Sequence, residues 1–225
     1  MKFSIVTPTF KAAKTLSSCL DSVRQQIRTS SEGEPIELEH IVVDGASNDG
    51  SVEIAENYET VKKVISEPDE GIYDAMNKGI HQAQGDVVGI LNSDDFYVTQ
   101  DVLARAADAL GPYGASTCYG NVVYVNPDKP TRVKRTWRAG HFGLSSFYSG
   151  WMPPHPTFFV RRSCYERHGV FRKDMGTAAD YELMLRLLVR EKVSSVWVPN
   201  LWVAMRAGGA SNASLTARLR ANRLD

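Results

Sequence analysis

The chain is 225 residues long, 43% hydrophobic and formally neutral, with 26 basic and 26 acidic side chains. That length fits one generous domain, or one domain with an appended lobe, and no apolar run approaches the ~18 residues that span a bilayer. A neutral chain without a recognisable DNA- or RNA-binding motif argues against a nucleic-acid partner.

The neutrality hides an asymmetry. Residues 1–128 carry 9 lysines and arginines against 20 aspartates and glutamates, and residues 129–225 carry 17 against 6. Such a split suits an acidic half that accepts a metal ion and a basic half that meets phosphates or an anionic surface; it equally suits two halves that attract each other. Cys19, Cys118 and Cys164 are odd in number and widely spaced, as expected of free thiols in a reducing compartment. The run Met1 to Pro8 is too short and too soon interrupted for a signal peptide, so a cytoplasmic protein is expected, in which the sequon Asn212-Ala213-Ser214 has no meaning.

In chain order, Phe3 to Thr7 reads as a strand stopped by Pro8. A helix from about Ala12 keeps Ala12, Leu16, Cys19, Leu20, Val23 and Ile27 on one face. Thr29 to Pro35 is a polar loop. Leu38 to Val43 is a second strand closed by Asp44-Gly45, Ser51 to Tyr58 a helix, and Val61 to Ser66 a third strand. The spacing predicts a helix over Ile72 to Ala83, with Ile72, Ala75, Met76, Ile80 and Ala83 facing the core. The apolar run Val87 to Leu91 is a buried strand, and Val102 to Leu110 a helix. Strands are expected at Ala115–Tyr119 and Val122–Val125, and the weakest boundary at Asn126 to Pro130. Arg132 to Trp137 reads as a strand and His141 to Pro156 as a long loop. Thr157 to Val160 is a short strand, Tyr181 to Arg190 a helix, Ser195 to Val198 a last strand, and the tail from Ser214 a weak amphipathic helix. Strands alternating with helices imply an α/β protein with a mostly parallel sheet.

The most informative stretch is Asn92-Ser93-Asp94-Asp95, where a buried strand ends in two adjacent carboxylates. Ligands of open α/β sheets bind beyond the carboxyl ends of strands. Two acids there repel unless a cation neutralises them, and a divalent ion completed by substrate phosphate would do so. The plain alternative is a turn, for which these residues are equally suited.

Thr7-Pro8-Thr9, the run Val43 to Ser51, and Asn92-Ser93-Asp94-Asp95 together resemble glycosyltransferase family 2. The stretch Glu67 to Gly79 looks like the same family, and the likeness runs from Lys2 to about Gly209. It implies a GT-A fold, in which residues 1–128 form a Rossmann-like nucleotide-sugar-binding half and residues 129–225 a smaller acceptor-binding half with a basic tail. It also implies a metal-dependent, inverting enzyme of bacterial surface-polysaccharide synthesis. Such an enzyme takes a nucleotide-sugar donor, expected to be UDP-linked, and a saccharide or lipid-linked saccharide acceptor that would bring it to the cytoplasmic face of the inner membrane.

The resemblance assigns roles residue by residue. Thr7, Pro8 and Thr9 would lie under the base, mostly through backbone contacts. Asp44 would accept a hydrogen bond from uracil or ribose, and Asp69 would contribute to the base pocket; both double as turn or capping residues. Asp94 would bind Mn²⁺ or Mg²⁺, with Asn92, Ser93 and Asp95 near the ribose and diphosphate. Asn92 departs from the Asp common in the family, leaving the site one charge weaker. Asp180 is the candidate general base, Glu182 the reserve; Thr177 to Asp180 also fits a capping box. The family commonly has an acid where this chain has Ala179. His155, among three prolines in Trp151 to Thr157, would be a further metal ligand or touch the diphosphate. Trp151 is a candidate for stacking on an acceptor sugar, as are Trp137, Phe147 and Tyr148, although aromatic residues at such places also serve the core. Two other readings remain: a sugar-phosphate nucleotidyltransferase, against which the Gly-free run Thr7 to Thr15 counts, and an inactive nucleotide- or sugar-binding subunit.

Overall fold

The computed structural model describes residues 1–111, 114–147 and 150–208. The expected tail helix with Arg218, Arg220 and Arg223, the sequon, and Tyr148 lie outside the described residues.

One nine-stranded sheet runs through the described chain. Its parallel heart is β1 (Lys2–Thr9), β2 (Glu37–Asp44), β3 (Val61–Ser66) and β4 (Val87–Ile90), in the order β3-β2-β1-β4. β8 (Phe159–Arg161) pairs antiparallel with β4 and with β6 (Thr117–Val125). β6 therefore runs in the direction of β4, as does its parallel partner β9 (Ser195–Arg206). β5 (Phe96–Tyr97) and β7 (Val133–Trp137) pair antiparallel with β9 and β6. The ends of β1, β2, β3, β4, β6 and β9 consequently reach one edge of the sheet, the usual place for a ligand crevice.

Alternation along the strands builds a core on each face. Val6, Ile41, Val43 and Val88 meet α3 (Ile72–Gln82) and α7 (Ala179–Leu185). Their neighbours Phe3, Ile5 and Val87 meet α1 (Leu16–Arg24), α4 (Val102–Leu110) and Trp202. α2 (Ser51–Glu56) follows the β2 turn, and α5 (Leu144–Phe147) lies inside the long loop. Among the described residues no helix is long and apolar enough to cross a membrane.

Several expectations need correction. β1 continues through Pro8: Val6 bonds to β4 through its carbonyl, so by alternation Pro8 faces the same side, beyond the last β1–β4 pair, where no partner needs its missing N–H. α1 begins one turn late, and Ile27 is exposed past its end. Ile72, at the first turn of α3, is 48% exposed rather than in the core. The two strands expected around residues 115–125 are one, bulged at Asn121, whose Oδ1 accepts the Ala139 N–H and the Trp197 indole N–H. β9 runs well past Val198, because Val198, Pro199 and Asn200 bulge outward opposite Gly120 and pairing resumes at Leu201. α6 (Arg162–His168) was not anticipated, and the helix expected from Tyr181 finishes in a π-turn at Arg186–Arg190.

Candidate active site at the carboxyl ends of the central strands

The β1 and β2 ends form one wall. The Thr7 side chain is buried and lies 2.9 Å from Nε2 of His40. Burial, helped by Arg28, pushes the His40 pKa down to about 3, so this imidazole is neutral. Thr7 is thus committed inward, and the Thr9 hydroxyl donates to the Thr7 carbonyl at 3.3 Å. What these residues offer outward is backbone. Register sets Thr9 beside Asp44, and Asp44 beside Ser66.

Asp44 is 1% exposed. Its Oδ2 accepts the Ser47 N–H at 2.8 Å and the Ser66 hydroxyl at 2.9 Å, while Oδ1 is buried with no partner. A buried, unmet acceptor costs on the order of 1–3 kcal/mol until a donor reaches it. Next to it, a Cβ on Gly45 would sit 2.6 Å from Asp69 Oδ2 and 3.2 Å from the Phe10 ring. Gly45 is therefore glycine because Asp69 and Phe10 close over it. Phe10 is 61% exposed, and the loops around it hold two non-glycine residues at positive φ, Lys11 and Ala46. They are tied by the Lys11 N–H donating to Ser47 Oγ at 2.8 Å. Asp69 Oδ1 accepts the Gly71 N–H at 2.9 Å, forming a turn ahead of α3, whose N-cap Gly71 offers no side chain.

Beyond β4 the chain turns tightly, with the Asp95 N–H donating to Asn92 O at 2.9 Å. Asp95 is almost fully buried and Ser93 nearly so. Asn92 Nδ2 reaches Asp95 Oδ2 at 3.4 Å, and Asn92 Oδ1 is a second buried acceptor without a partner. Burial raises the pKa of Asp94; burial and then the Asp94 charge raise that of Asp95 well above the carboxylate range. Arg206, at the end of β9, opposes both shifts. Its guanidinium bonds to the Asp94 carbonyl and to Ser18 Oγ, and stacks 5.0 Å over Phe96. Two hard carboxylates under mutual strain fit a divalent cation. Among the described residues no three His, Cys, Asp or Glu side chains converge on one ion site, so further ligands would come from a substrate.

The second wall comes from later in the chain. His155 opens a 3₁₀ turn that packs against β4. Its Nε2 is buried without a partner, its ring meets Phe171 at 5.8 Å, and burial lowers its pKa against the opposing pull of Asp180. Asp180 lies in the first turn of α7, half-buried, its Oδ1 accepting the Tyr181 N–H at 2.8 Å. The α7 N-cap is Ala178, with no side-chain cap, so the capping-box alternative does not form. Glu182, the reserve candidate, has both oxygens engaged by Arg186 at 2.9 Å. The Trp151 indole donates to Ala139 O at 2.9 Å and packs among Tyr119, Phe142 and Phe147, anchoring the long loop.

The family model "Glycosyl transferase family 2" matches residues 4–172. The chain belongs to this family. As a family 2 glycosyltransferase it is 35% identical over 195 residues to an uncharacterized glycosyltransferase of Mycobacterium tuberculosis, covering 85% of this chain and 71% of the relative. It is 30% identical over 189 residues to a PGL/p-HBAD biosynthesis glycosyltransferase of Mycobacterium bovis, covering 82% and 68%. Its fold is that of S. aureus TarS 1–349 in complex with UDP-GlcNAc (TM-score 0.74, 20% identity, 94% of this chain and 60% of that one). The mannosyltransferase PcManGT of Pyrobaculum calidifontis, in complex with GDP-Man and Mn²⁺, shares it too (TM-score 0.66, 20% identity, 97% and 60%). This chain spans about 60% of both solved chains.

The family 2 glycosyltransferase thus brings Thr9, Asp44 and the Asn92–Asp95 turn to one sheet edge, while the Asp180 charge acts on His155, whose 3₁₀ turn packs against β4. Sequence reasoning missed Arg206, because the last strand was expected to stop eight residues earlier, and Phe10, whose exposure no periodicity announces.

Proposed function

We propose that this glycosyltransferase moves a sugar from a UDP-sugar to a saccharide or lipid-linked saccharide acceptor, with inversion, in bacterial polysaccharide biosynthesis. The observation that carries the reading is the unmet Asp44 Oδ1 at the same sheet edge as half-buried Asp94 and buried Asp95. One offers an acceptor to a base N–H, and the other a cation site at the diphosphate. Relatives support it: TarS has been seen with UDP-GlcNAc and UDP, PcManGT with GDP-Man and Mn²⁺, and the Mycobacterium bovis relative is named for PGL/p-HBAD biosynthesis.

In this reading Phe10 stacks on the base over the backbone of Thr7, Pro8 and Thr9, with Asp44 and Asp69 at its rim. Asn92, Ser93 and Asp95 hold the ribose and diphosphate side. Asp94, with His155 Nε2 at the far side, would hold Mn²⁺ or Mg²⁺, which would supply positive charge where the leaving diphosphate gains negative charge. Asp180 takes the proton of the acceptor hydroxyl as its oxygen bonds to the anomeric carbon; the bond from that carbon to the diphosphate breaks, and its electron pair leaves with the diphosphate. One such displacement inverts the centre. Residues 129–225 form the acceptor side, Trp151 standing in its long loop. The enzyme works in the cytoplasm, touching the inner membrane peripherally where its acceptor is lipid-linked.

The test is release of nucleoside diphosphate from UDP-glucose, UDP-N-acetylglucosamine and GDP-mannose with Mn²⁺, by wild type and Asp180→Asn. Turnover of a UDP-sugar, reduced roughly 10²–10⁴-fold in the variant with UDP affinity unchanged, is expected. Turnover of GDP-mannose alone overturns the donor, and an active variant overturns the base.

A further inference from the structure

β7 leaves its outer edge unpaired among the described residues, and that edge is charged with one sign. Lys129, Arg132, Lys134, Arg135 and Arg138 fall within ten residues and are all exposed, and Asp128 is the single acid between residues 109 and 165. Arg105, Arg162, Lys173 and Arg186 each pair with a carboxylate. Among the described residues none of the five around β7 finds one. Arg135 lies over the Tyr124 ring at 4.9 Å, which keeps its guanidinium at the surface. Pairing sets Tyr124 beside Arg135 and Val125 beside Val133, so Lys134 is the extra residue of a bulge. Val133, between two of the cations, is 58% exposed. Open edges commonly carry lysines that prevent pairing, and β3 does so with Lys62 and Lys63, flanked by Glu59 and Glu67. β7 has the cations without the flanking balance, and an apolar side chain set among them.

The strand also stands near the donor crevice. Val125 of β6 is in register with Arg206 of β9 on one side and with Val133 of β7 on the other. With neighbouring strands about 4.8 Å apart, Val133 lies about 10 Å across the sheet from Arg206. We propose that β7 is the surface by which the protein docks on an anionic bilayer, with Arg132, Lys134, Arg135 and Arg138 at the headgroup phosphates and Val133 as the apolar contact. The proposal rests on the reading of the acceptor as lipid-linked, since docking at this edge brings a lipid-borne hydroxyl towards the crevice. A formally neutral protein is drawn to a negative surface only through one face, and residues 129–225, with 17 basic against 6 acidic side chains, supply it. Each lysine or arginine near such a surface strengthens binding roughly fivefold, and salt screens the attraction beyond about 8 Å. A second copy of the chain is a poorer occupant, because two β7 edges set side by side would face like charges.

The experiment sediments the full chain with vesicles of phosphatidylcholine alone and of phosphatidylcholine mixed equally with phosphatidylglycerol, at low and high salt. The wild type is expected on the mixed vesicles, absent from the neutral ones, and released by high salt. The combined variant Arg132→Ser, Lys134→Ser, Arg138→Ser is expected to bind about 10²-fold more weakly, with its thermal midpoint and UDP affinity kept. The matching change in the tail, Arg218→Ser, Arg220→Ser, Arg223→Ser, is expected to leave most of the binding in place. No binding to the mixed vesicles overturns the proposal, and so does equal binding by the β7 variant and the wild type. Tighter retention of single-stranded RNA than of the mixed vesicles would assign the strand to a nucleic acid and overturn it too. The two readings fail separately. Turnover of a UDP-sugar without vesicle binding removes the docking surface alone, whereas β7-dependent vesicle binding by a protein that turns over no UDP-sugar removes the donor alone.

Discussion

The guanidinium of Arg206 bonds to the main-chain carbonyl of Asp94, joining the last described strand to the turn after β4. A residue 112 positions away thereby supplies a cation that opposes the raised pKa values of half-buried Asp94 and buried Asp95. In the proposed donor site it would meet the diphosphate, and a charge-assisted contact of that kind is worth about 1.5–3 kcal/mol. Arg206→Met is expected to weaken UDP binding in the presence of Mn²⁺ by about tenfold or more, measured by calorimetry, while Arg206→Lys retains part of it.

The acidic pair makes the protein sensitive to pH. Asp94 and Asp95 hold protons more tightly in the fold than in the unfolded chain, chiefly because they are buried. Folding binds protons there, so in the absence of divalent cations stability falls as pH rises from about 4 through their raised values. Asp95→Asn removes part of that cost. Its thermal midpoint without metal is expected to exceed the wild type's at pH 7, with the difference closing as pH is lowered towards 4. Added Mn²⁺ should stabilise the wild type more than the variant. Equal midpoints at pH 7 would show that the pair carries no such cost.

Gly45 tests the base pocket without touching the metal. A methyl group there meets Asp69 Oδ2 at 2.6 Å and the Phe10 ring at 3.2 Å, both able to swing outward into solvent. Gly45→Ala is therefore expected to fold with a thermal midpoint close to the wild type's but to lose UDP affinity several-fold. Phe10→Ala should lose a comparable amount, since an aromatic stacking contact is worth about 0.5–1.5 kcal/mol.

Gly79 tests the fold instead. A Cβ there would collide with the Val6 side chain, deep in the layer between α3 and β1. Overpacking of this kind costs about 1–3 kcal/mol. Gly79→Ala should lower the urea midpoint with little change in slope, and spare UDP affinity when measured below the transition.

Much of the fold was legible because its signals are local. Val61–Ser66 and Val102–Leu110 emerge from the sequence with the bounds they have in the structure, and Ile72–Gln82 within one residue. The turns at Asp44-Gly45 and Asn92–Asp95 mark the strand ends that make the crevice. What was not legible depends on pairing at long range. Pro199-Asn200 reads as a stop, yet β9 carries on because parallel pairing with β6 tolerates a bulge there. Ile72 sits at a core position of its helix period, yet α3 begins at the crevice rim, where the period has nothing to pack against. The loss of Glu182 to Arg186 is local in spacing, but only the structure shows the same guanidinium also gripping the carbonyls after α6, which fixes the pair. The metal-side candidates were readable as chemistry; the Arg206 contact to them was not, since it joins residues 112 positions apart.

The most direct measurement is calorimetric titration of UDP, with GDP as control, into the protein with and without Mn²⁺, repeated on Asp94→Ala. The crevice described above predicts UDP binding that strengthens with Mn²⁺ and loses that dependence in Asp94→Ala, with the fold intact by circular dichroism. UDP binding of equal strength in all four conditions would contradict the metal site at Asp94, and no binding of either nucleotide would contradict the donor site itself.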